Sequence, residues 1–363
     1  MSDQLRAGIV GAGFIAGVHA RAVRAAGGLV QRVAASTTAS TEDAVRRIGG
    51  ALPAATAEEL IDADDVDVVH ICTPNATHLA FAQRALAVGK HVICEKPLAV
   101  GAGQARTLAR AAASTAALAA VPFVYRYYPS VREARARIAA GDAGPLHLLH
   151  GSYLQDWMSS RLDMNWRVDP ERGGPSRTFA DIGVHWCDLM EFTTGHRVTR
   201  LCARTPTAYV RRGPATVRTE DAALVLFETD RGAAGSMVAS QISAGRKNRL
   251  WFSFDGADAA YVFDQELPET LWIGGREQSV IVHRGESDRF PDVARLSLLP
   301  PGHPQGYQDC FNAFVADAYA AARCDSGNGG DGLPSFADGA RAAAITEAVL
   351  RSAAEERWIE VSP

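Results

Sequence analysis

Over the first 120 residues, short β-branched apolar runs alternate with alanine-rich stretches whose apolar side chains recur at helical spacing. The runs at 6–10, 30–35, 66–72, 91–94 and 117–121 predict strands, and the stretches at 15–26, 41–48, 77–88 and 103–113 predict helices. Strands that are apolar on both faces, each followed by a helix, are what a parallel sheet covered on both sides requires. The connections are expected to be right-handed crossovers.

Beyond Pro122 the period changes. A helix predicted at 129–140 leads into segments that alternate apolar and polar residues, at 146–154, 198–210, 222–229, 233–243, 249–254, 260–263 and 269–273. Gly, Pro or Asp stands at most of the joints. The pattern predicts a mostly antiparallel sheet with one face solvated or covered by a partner. Helices are predicted at 177–192 and 307–322, a loop at 325–332, and a closing amphipathic helix at 336–356.

At 363 residues the chain exceeds the size at which one core stops growing, so two domains are expected. A hydrophobic share of 47% with 21% charged residues is ordinary for a globular protein. The net charge of -4 gives no cationic field, and no basic block interleaved with aromatics offers itself to a phosphate backbone, so nucleic acid is not an expected partner. The pairs Arg46-Arg47 and Arg211-Arg212 read as solvated surface. Six cysteines, at 72, 94, 187, 202, 310 and 324, form no CxxC pair, which suits small buried thiols in a reducing compartment. The start has no leader pattern and no charge-free run reaches membrane-spanning length, so a soluble, cytoplasmic protein is expected, and the acceptor-like Asn75-Ala76-Thr77 is idle.

The first strand runs into Gly11-Ala12-Gly13-Phe14-Ile15-Ala16, which opens a helix. In that context Gly11 permits a tight turn, Gly13 lets backbone approach a pyrophosphate, and Ala16 lets helix and sheet pack closely. The N–H groups of the helix start, through Phe14 and Ile15, face the pyrophosphate charge. The fold expected is therefore α/β: a dinucleotide-binding Rossmann domain over 1–122 and an α+β domain with an open, mostly antiparallel sheet over 123–334. A C-terminal helix and tail over 335–363 can pack back on the first domain. The second strand ends at Ala35-Ser36-Thr37, with no carboxylate for the adenosine ribose and no cation beside Ser36 for a 2′-phosphate. The sequence favours NAD over NADP, with Ser36 or Thr37 at the ribose. Thr73, Pro74 and Asn75, with His78, follow the third predicted strand and can line the nicotinamide ribose; turn chemistry and helix capping explain them equally.

Glu95-Lys96-Pro97 leaves the next strand at the same sheet edge, where Glu95 and Lys96 are expected to contact the cofactor and the Lys96 ammonium can donate to an alcohol oxygen and to its developing charge. Further on, Gly173-Gly174-Pro175 precedes Asp181, His185 and Asp188, whose spacing puts them on one helix face. An imidazole beside a carboxylate suits proton abstraction near neutrality. Asp181, His185 and His78 could also be metal ligands, but no close His/Cys cluster completes a set, and no metal is expected. Trp157, Asn165, Trp166 and Arg167, together with Arg126, Tyr153 and His303, are candidate contacts to a polyhydroxylated ring, with ordinary loop contacts as the alternative for each.

Together these motifs resemble the glucose-fructose oxidoreductase/inositol dehydrogenase (Gfo/Idh/MocA) family across essentially the whole chain. The resemblance implies that Lys96 and His185 flank the substrate, that Asp181 assists, and that the open sheet builds a homodimer or homotetramer. The stretch from Trp157 to Asp169 looks most like the dehydrogenases of unphosphorylated sugars, anhydrosugars or inositols. Two departures, Ala16 for the commoner third Gly and Pro175 in the glycine-rich turn, leave this assignment intact. The same fold also serves carbonyl and imine reductases, NAD-dependent glycoside hydrolases and non-catalytic dinucleotide sensors; the presence of Lys96, Asp181 and His185 argues against the last.

Overall fold

The computed structural model describes residues 4–285, 290–324 and 330–362. In the N-terminal part, strands β1 (Arg6–Val10), β2 (Leu29–Ala34), β3 (Leu52–Pro53), β4 (Val68–Ile71), β5 (His91–Cys94) and β6 (Ala119–Ala120) form one sheet in the order β3-β2-β1-β4-β5-β6. Every pairing is parallel. Helices α1 (Phe14–Ala25), α2 (Thr38–Ile48), α3 (Ala57–Asp62), α4 (His78–Ala87) and α5 (Ala102–Ala113) lie between the strands. This is the Rossmann order. Its direction reverses between β1 and β4, and ligands lie outside the carboxyl ends of the strands at such a reversal. The central strands are buried throughout, which is why they read as continuous apolar runs. Strand β3 and helix α3 were not expected; two strand residues and six helical ones are too short to show a period.

The second part begins with α6 (Pro129–Ala139) and β7 (Leu146–Leu154), then a single turn α7 (Pro170–Gly173), a π-helical turn at Phe179–Gly183 and α8 (Val184–Thr194). Strands β8 (Val198–Arg204), β9 (Arg211–Arg212), β10 (Ala215–Thr216), β11 (Ala222–Thr229), β12 (Ala234–Ser240), β13 (Arg249–Gly256), β14 (Ala260–Asp264), β15 (Thr270–Gly274) and β16 (Ser279–His283) follow, then α9 (Pro291–Leu296). The nine-stranded sheet, closed by β17 (Ile359–Glu360), runs β16-β15-β14-β13-β7-β12-β11-β8-β17, with only β12 and β7 parallel. Helices α6 and α8 cover one face. There Trp186 is buried, donates from Nε1 to the Trp251 carbonyl at 2.9 Å, and lies 2.5 Å from where a Cβ at Gly151 would stand. On the other face, among the described residues, Leu224, Leu226 and Val238 are exposed.

Helices α10 (Tyr307–Arg323) and α11 (Phe336–Glu355) complete the chain. Compact unit 1 is Met1–Val124 with Tyr307–Arg341; unit 2 is Tyr125–Gly306 with Ala342–Pro363. The expected single domain over 123–334 thus differs at its end: α10 belongs with the Rossmann sheet, because its buried face of Phe311, Phe314, Val315, Ala318 and Tyr319 packs on α1. Of the predicted loop at 325–332, residues 325–329 lie outside the described residues. Arg212 corrects the reading of the arginine pairs as solvated surface, since it is 0% exposed and paired with Asp221. Of the six thiols, those at 72, 94, 187 and 310 are buried, Cys202 is intermediate and Cys324 is exposed. Among the described residues no helix is long and apolar enough to cross a membrane.

Candidate active site

The two glycines after β1 are small for different reasons. Gly11 has φ +121°, and a Cβ there would lie 2.4 Å from the Cys72 carbonyl oxygen, so the fold itself demands glycine. Gly13 has φ -74°, which any residue adopts, and a Cβ there would meet nothing within 4 Å. Among the described residues no packing calls for a glycine at 13, which leaves room for a ligand to lie against that backbone. Phe14 is 81% exposed at the first turn of α1, Ile15 is half-buried beside it, and Ala16 is buried. The residues present therefore fit a dinucleotide whose pyrophosphate meets the N–H groups of this turn.

After β2, Ser36 is exposed and Thr37 caps α2: its hydroxyl accepts from the Ser40 N–H at 3.1 Å, and Ser40 Oγ accepts from the Thr37 N–H at 3.1 Å. Arg47 reaches back from α2. Its Nη2 donates to the Ala12 carbonyl at 2.7 Å and its Nε to Asp43 at 2.8 Å.

At the end of β4, Thr77 Oγ1 donates to Thr73 Oγ1 at 2.7 Å, with Pro74 half-buried and Asn75 buried within the same turn. His78 is 0% exposed, and its Nδ1 and Nε2 lie 2.9 and 3.0 Å from the Pro97 and Thr73 carbonyl oxygens. This corrects the expectation that His78 touches the cofactor: its ring clamps the β4 and β5 turns together from inside. Burial pushes its pKa down against the pull of those two carbonyls and of Glu95. Beyond β5, Glu95 is buried, Lys96 is half-buried, and the Lys96–Pro97 peptide is cis.

In unit 2 the expected helix at 177–192 is a π-helical turn followed by α8, and its carboxylates divide between two sets of partners. Asp181 accepts from Gln241 Nε2 at 2.7 Å and faces Arg167 Nε at 3.3 Å. Asp188 receives both Nε, at 2.8 Å, and Nη2 of Arg126. Arg126 is 7% exposed and also stacks on Phe192, so its guanidinium is held between Asp188 and that ring. His185 lies edge-on to Tyr125, with ring centroids 5.0 Å apart, and 6.3 Å from Tyr153. The two phenols share a hydrogen bond; Tyr153 donates to Asn248 Oδ1 at 2.7 Å, and so does Gln155 Nε2. Trp157 Nε1 extends the chain to Gln155 at 2.8 Å.

Asn165 uses its carboxamide to cap the Trp166–Val168 turn, accepting from the Arg167 N–H at 3.1 Å, while the Arg167 guanidinium lies 4.4 Å over the Trp166 ring. His303 stands in an exposed turn held through its carbonyl by Arg284 Nη2 at 2.6 Å, and no described hydrogen bond ties its ring to the His185 cluster. Gln241, Asn248, Tyr125 and Gln155 were not foreseen; the only local signal was the aromatic density of 123–128.

The π-helical turn is held from below. Glu220 accepts from Ser176 Oγ at 2.7 Å and from the Phe179 N–H at 2.9 Å. Asp221, 0% exposed, takes Arg177 and Arg212 together, with the Tyr209 N–H at 3.0 Å. Burial pushes both carboxyls up. For Asp221, the Tyr209 N–H and the two guanidiniums outweigh it and hold the group below its ordinary range, whereas Glu220 stays raised. Among the described residues no group of three or more His, Cys, Asp or Glu is placed to hold a metal ion.

Two family descriptions match this chain. Residues 5–123 match the oxidoreductase family with NAD-binding Rossmann fold, and residues 131–262 match the GFO/IDH/MocA C-terminal domain. The chain belongs to the GFO/IDH/MocA family of oxidoreductases. It is 29% identical to levoglucosan dehydrogenase of Pseudarthrobacter phenanthrenivorans, over 99% of this chain and 98% of that one. Inositol 2-dehydrogenase of Rhizobium meliloti is 25% identical over 99% of each. The structure of a levoglucosan dehydrogenase in complex with NADH and levoglucosan superposes with TM-score 0.91 at 27% identity, covering 99% of both chains. The Rossmann order and the mostly antiparallel second sheet are those expected of the family.

Proposed function

We propose that this oxidoreductase removes a hydride from a hydroxyl-bearing carbon of an unphosphorylated sugar, anhydrosugar or inositol, reversibly, with NAD as acceptor. One observation carries the reading. Lys96 leaves β5 at the carboxyl edge of the sheet, two strands from Gly11, and strand spacing makes that lateral separation roughly 10 Å, within the length of a bound dinucleotide. The nicotinamide, when bound, supplies the hydride acceptor. The Lys96 ammonium donates to the substrate oxygen and stabilises its negative charge as the carbon is oxidised. The hydroxyl proton passes to the His185 imidazole, and the Asp181 carboxylate, fixed by Gln241 and Arg167, supports the resulting positive charge. Hydroxyls, amides and aromatic faces around His185, at Tyr125, Tyr153, Asn248 and Trp157, suit a polyhydroxylated ring.

NAD is preferred because no cation stands beside Ser36, and Arg47 is committed to Asp43 and the Ala12 carbonyl. The open face of the nine-stranded sheet is proposed to join copies into a homodimer or homotetramer, and the thiols suit the cytoplasm. The test is the near-ultraviolet absorbance of reduced cofactor, followed with NAD and NADP over a panel of free sugars, anhydrosugars and inositols. A rise with one of these groups supports the proposal; no rise with any, in samples shown to bind cofactor, overturns it.

A further inference from the structure

Four buried polar side chains that play no part in the reaction above run in a line through unit 1. His19 lies in α1, His70 on β4, Glu95 beyond β5 and Tyr319 on α10; the first two and the last are 0% exposed and Glu95 is 7% exposed. Glu95 Oε1 is 3.1 Å from His19 Nε2, His19 Nδ1 is 2.8 Å from His70 Nδ1, and His70 Nε2 is 2.9 Å from the Tyr319 hydroxyl. The second carboxylate oxygen of Glu95 accepts the Lys96 N–H at 3.1 Å.

Together with burial, these contacts favour one donor order. Burial pushes the Tyr319 hydroxyl far up, so it keeps its proton, and pushes His70 well down, so that ring is neutral with one N–H. If Tyr319 donates to His70 Nε2, then His70 donates from Nδ1 to His19 Nδ1, and His19 donates from Nε2 to the Glu95 carboxylate. Each contact is then a hydrogen bond between one donor and one acceptor. The opposite polarity leaves a bare imidazole nitrogen facing a carboxylate oxygen. The chain therefore points at Glu95. It begins at a tyrosine closed off from solvent, so it is a fixed line of dipoles and conducts no proton. Two imidazoles in an apolar interior cost desolvation that leucines of similar volume would avoid, and what they gain is a carboxylate held in one orientation beside Lys96.

We propose that His19 and His70 are positioning residues for Lys96: through Glu95 they fix the segment that presents its ammonium, and they bolt that segment to the helix that opens at the dinucleotide turn. This rests on the reading of Lys96 as the group that meets the substrate oxygen. Around Glu95 the other titratable groups are His78, whose ring feels its charge, and the thiols of Cys72 and Cys94, both pushed up by burial and then by Glu95.

The test is steady-state kinetics for His19→Phe, His19→Gln and Lys96→Met, with dinucleotide affinity and melting temperature measured on each. His19→Phe keeps the ring volume and its contact with Phe311 but offers Glu95 no donor. It is expected to lower kcat at least tenfold with KM and dinucleotide affinity nearly unchanged. His19→Gln, which restores an N–H toward Glu95, should recover most of the loss. Where His19→Phe does not fold, Tyr319→Phe removes only the first donor and should lower kcat by less, again with KM nearly unchanged. An unchanged kcat in the folded variant of this pair overturns the proposal, as does a kcat loss that tracks lost cofactor binding or that His19→Gln does not recover. Such a result with Lys96→Met inactive leaves the Lys96 reading standing; an active Lys96→Met removes both.

Discussion

At the scale of single residues, the two glycines of the first turn separate what the fold needs from what a ligand needs. Gly11→Ala forces a side chain into the Cys72 carbonyl from a left-handed backbone, and should cost on the order of 1–3 kcal/mol in urea unfolding. Gly13→Val should leave unfolding within about 0.5 kcal/mol of the parent. It should nonetheless weaken dinucleotide binding about tenfold or more by fluorescence titration, because ~1.4 kcal/mol of lost contact already does so. Equal binding in the valine variant would remove the backbone of residue 13 from the cofactor site. Lys96→Met should abolish turnover while cofactor affinity stays nearly intact; retained turnover would remove Lys96 from the chemistry. Lys96 was legible as a candidate because it follows β5, and Asp181 and His185 because their spacing puts them on one helix face. The direction each side chain takes was not. His78 and Arg126 turn inward because their partners, the Pro97 and Thr73 carbonyls and Asp188, become neighbours only on folding.

At the scale of elements, the strand expected at 198–210 ends at Arg204, whereas several segments were readable to within a residue or two, as with β1, β5, β7, β11 and α10. The π-helical turn at Phe179–Gly183 was not, because its cause lies in Glu220 and Asp221, about forty residues on, which draw Ser176, Arg177 and the Phe179 N–H to themselves. That device gives a stability prediction. Asp221→Ala strands Arg177 and Arg212, both buried, without their counter-charge, and should cost about 3–5 kcal/mol in denaturant unfolding. Its pH dependence has a definite sign. The folded carboxyl sits below its ordinary value of 3.8, so its contribution is full above that value and is lost as pH falls through the lower folded pKa. Glu220, raised by burial, acts oppositely and relieves part of that loss as it protonates. Acid unfolding should therefore set in below about pH 4 and flatten in Asp221→Ala; an unchanged acid transition would show that the two arginines are balanced elsewhere.

At the scale of the whole molecule, the alternation of β11 and β12 already signalled a sheet with one face turned away from its own core, and the structure identifies the side chains there. Leu224 and Val238 stand directly opposite each other across the β11–β12 pair, Leu226 is two positions along, and Leu148, Trp272 and Ile281 continue the exposed apolar set on β7, β15 and β16. Nine strands at about 4.8 Å spacing make this face roughly 40 Å wide. A monomer seldom leaves a broad apolar surface of this kind to water. A second copy of the same face is self-complementary about a two-fold axis, the commonest route to a closed assembly. Since Leu226 is 56% exposed and contributes little to its own core, Leu226→Asp should leave the melting temperature of the isolated subunit nearly unchanged while placing two like charges within one interface. Sedimentation velocity should then find the parent as a dimer or tetramer and the variant as a smaller species. If the parent sediments as a monomer, the open face is covered by something other than a second copy. If the variant stays assembled, the copies meet through another surface, and the apolar row on β11 and β12 needs a different partner.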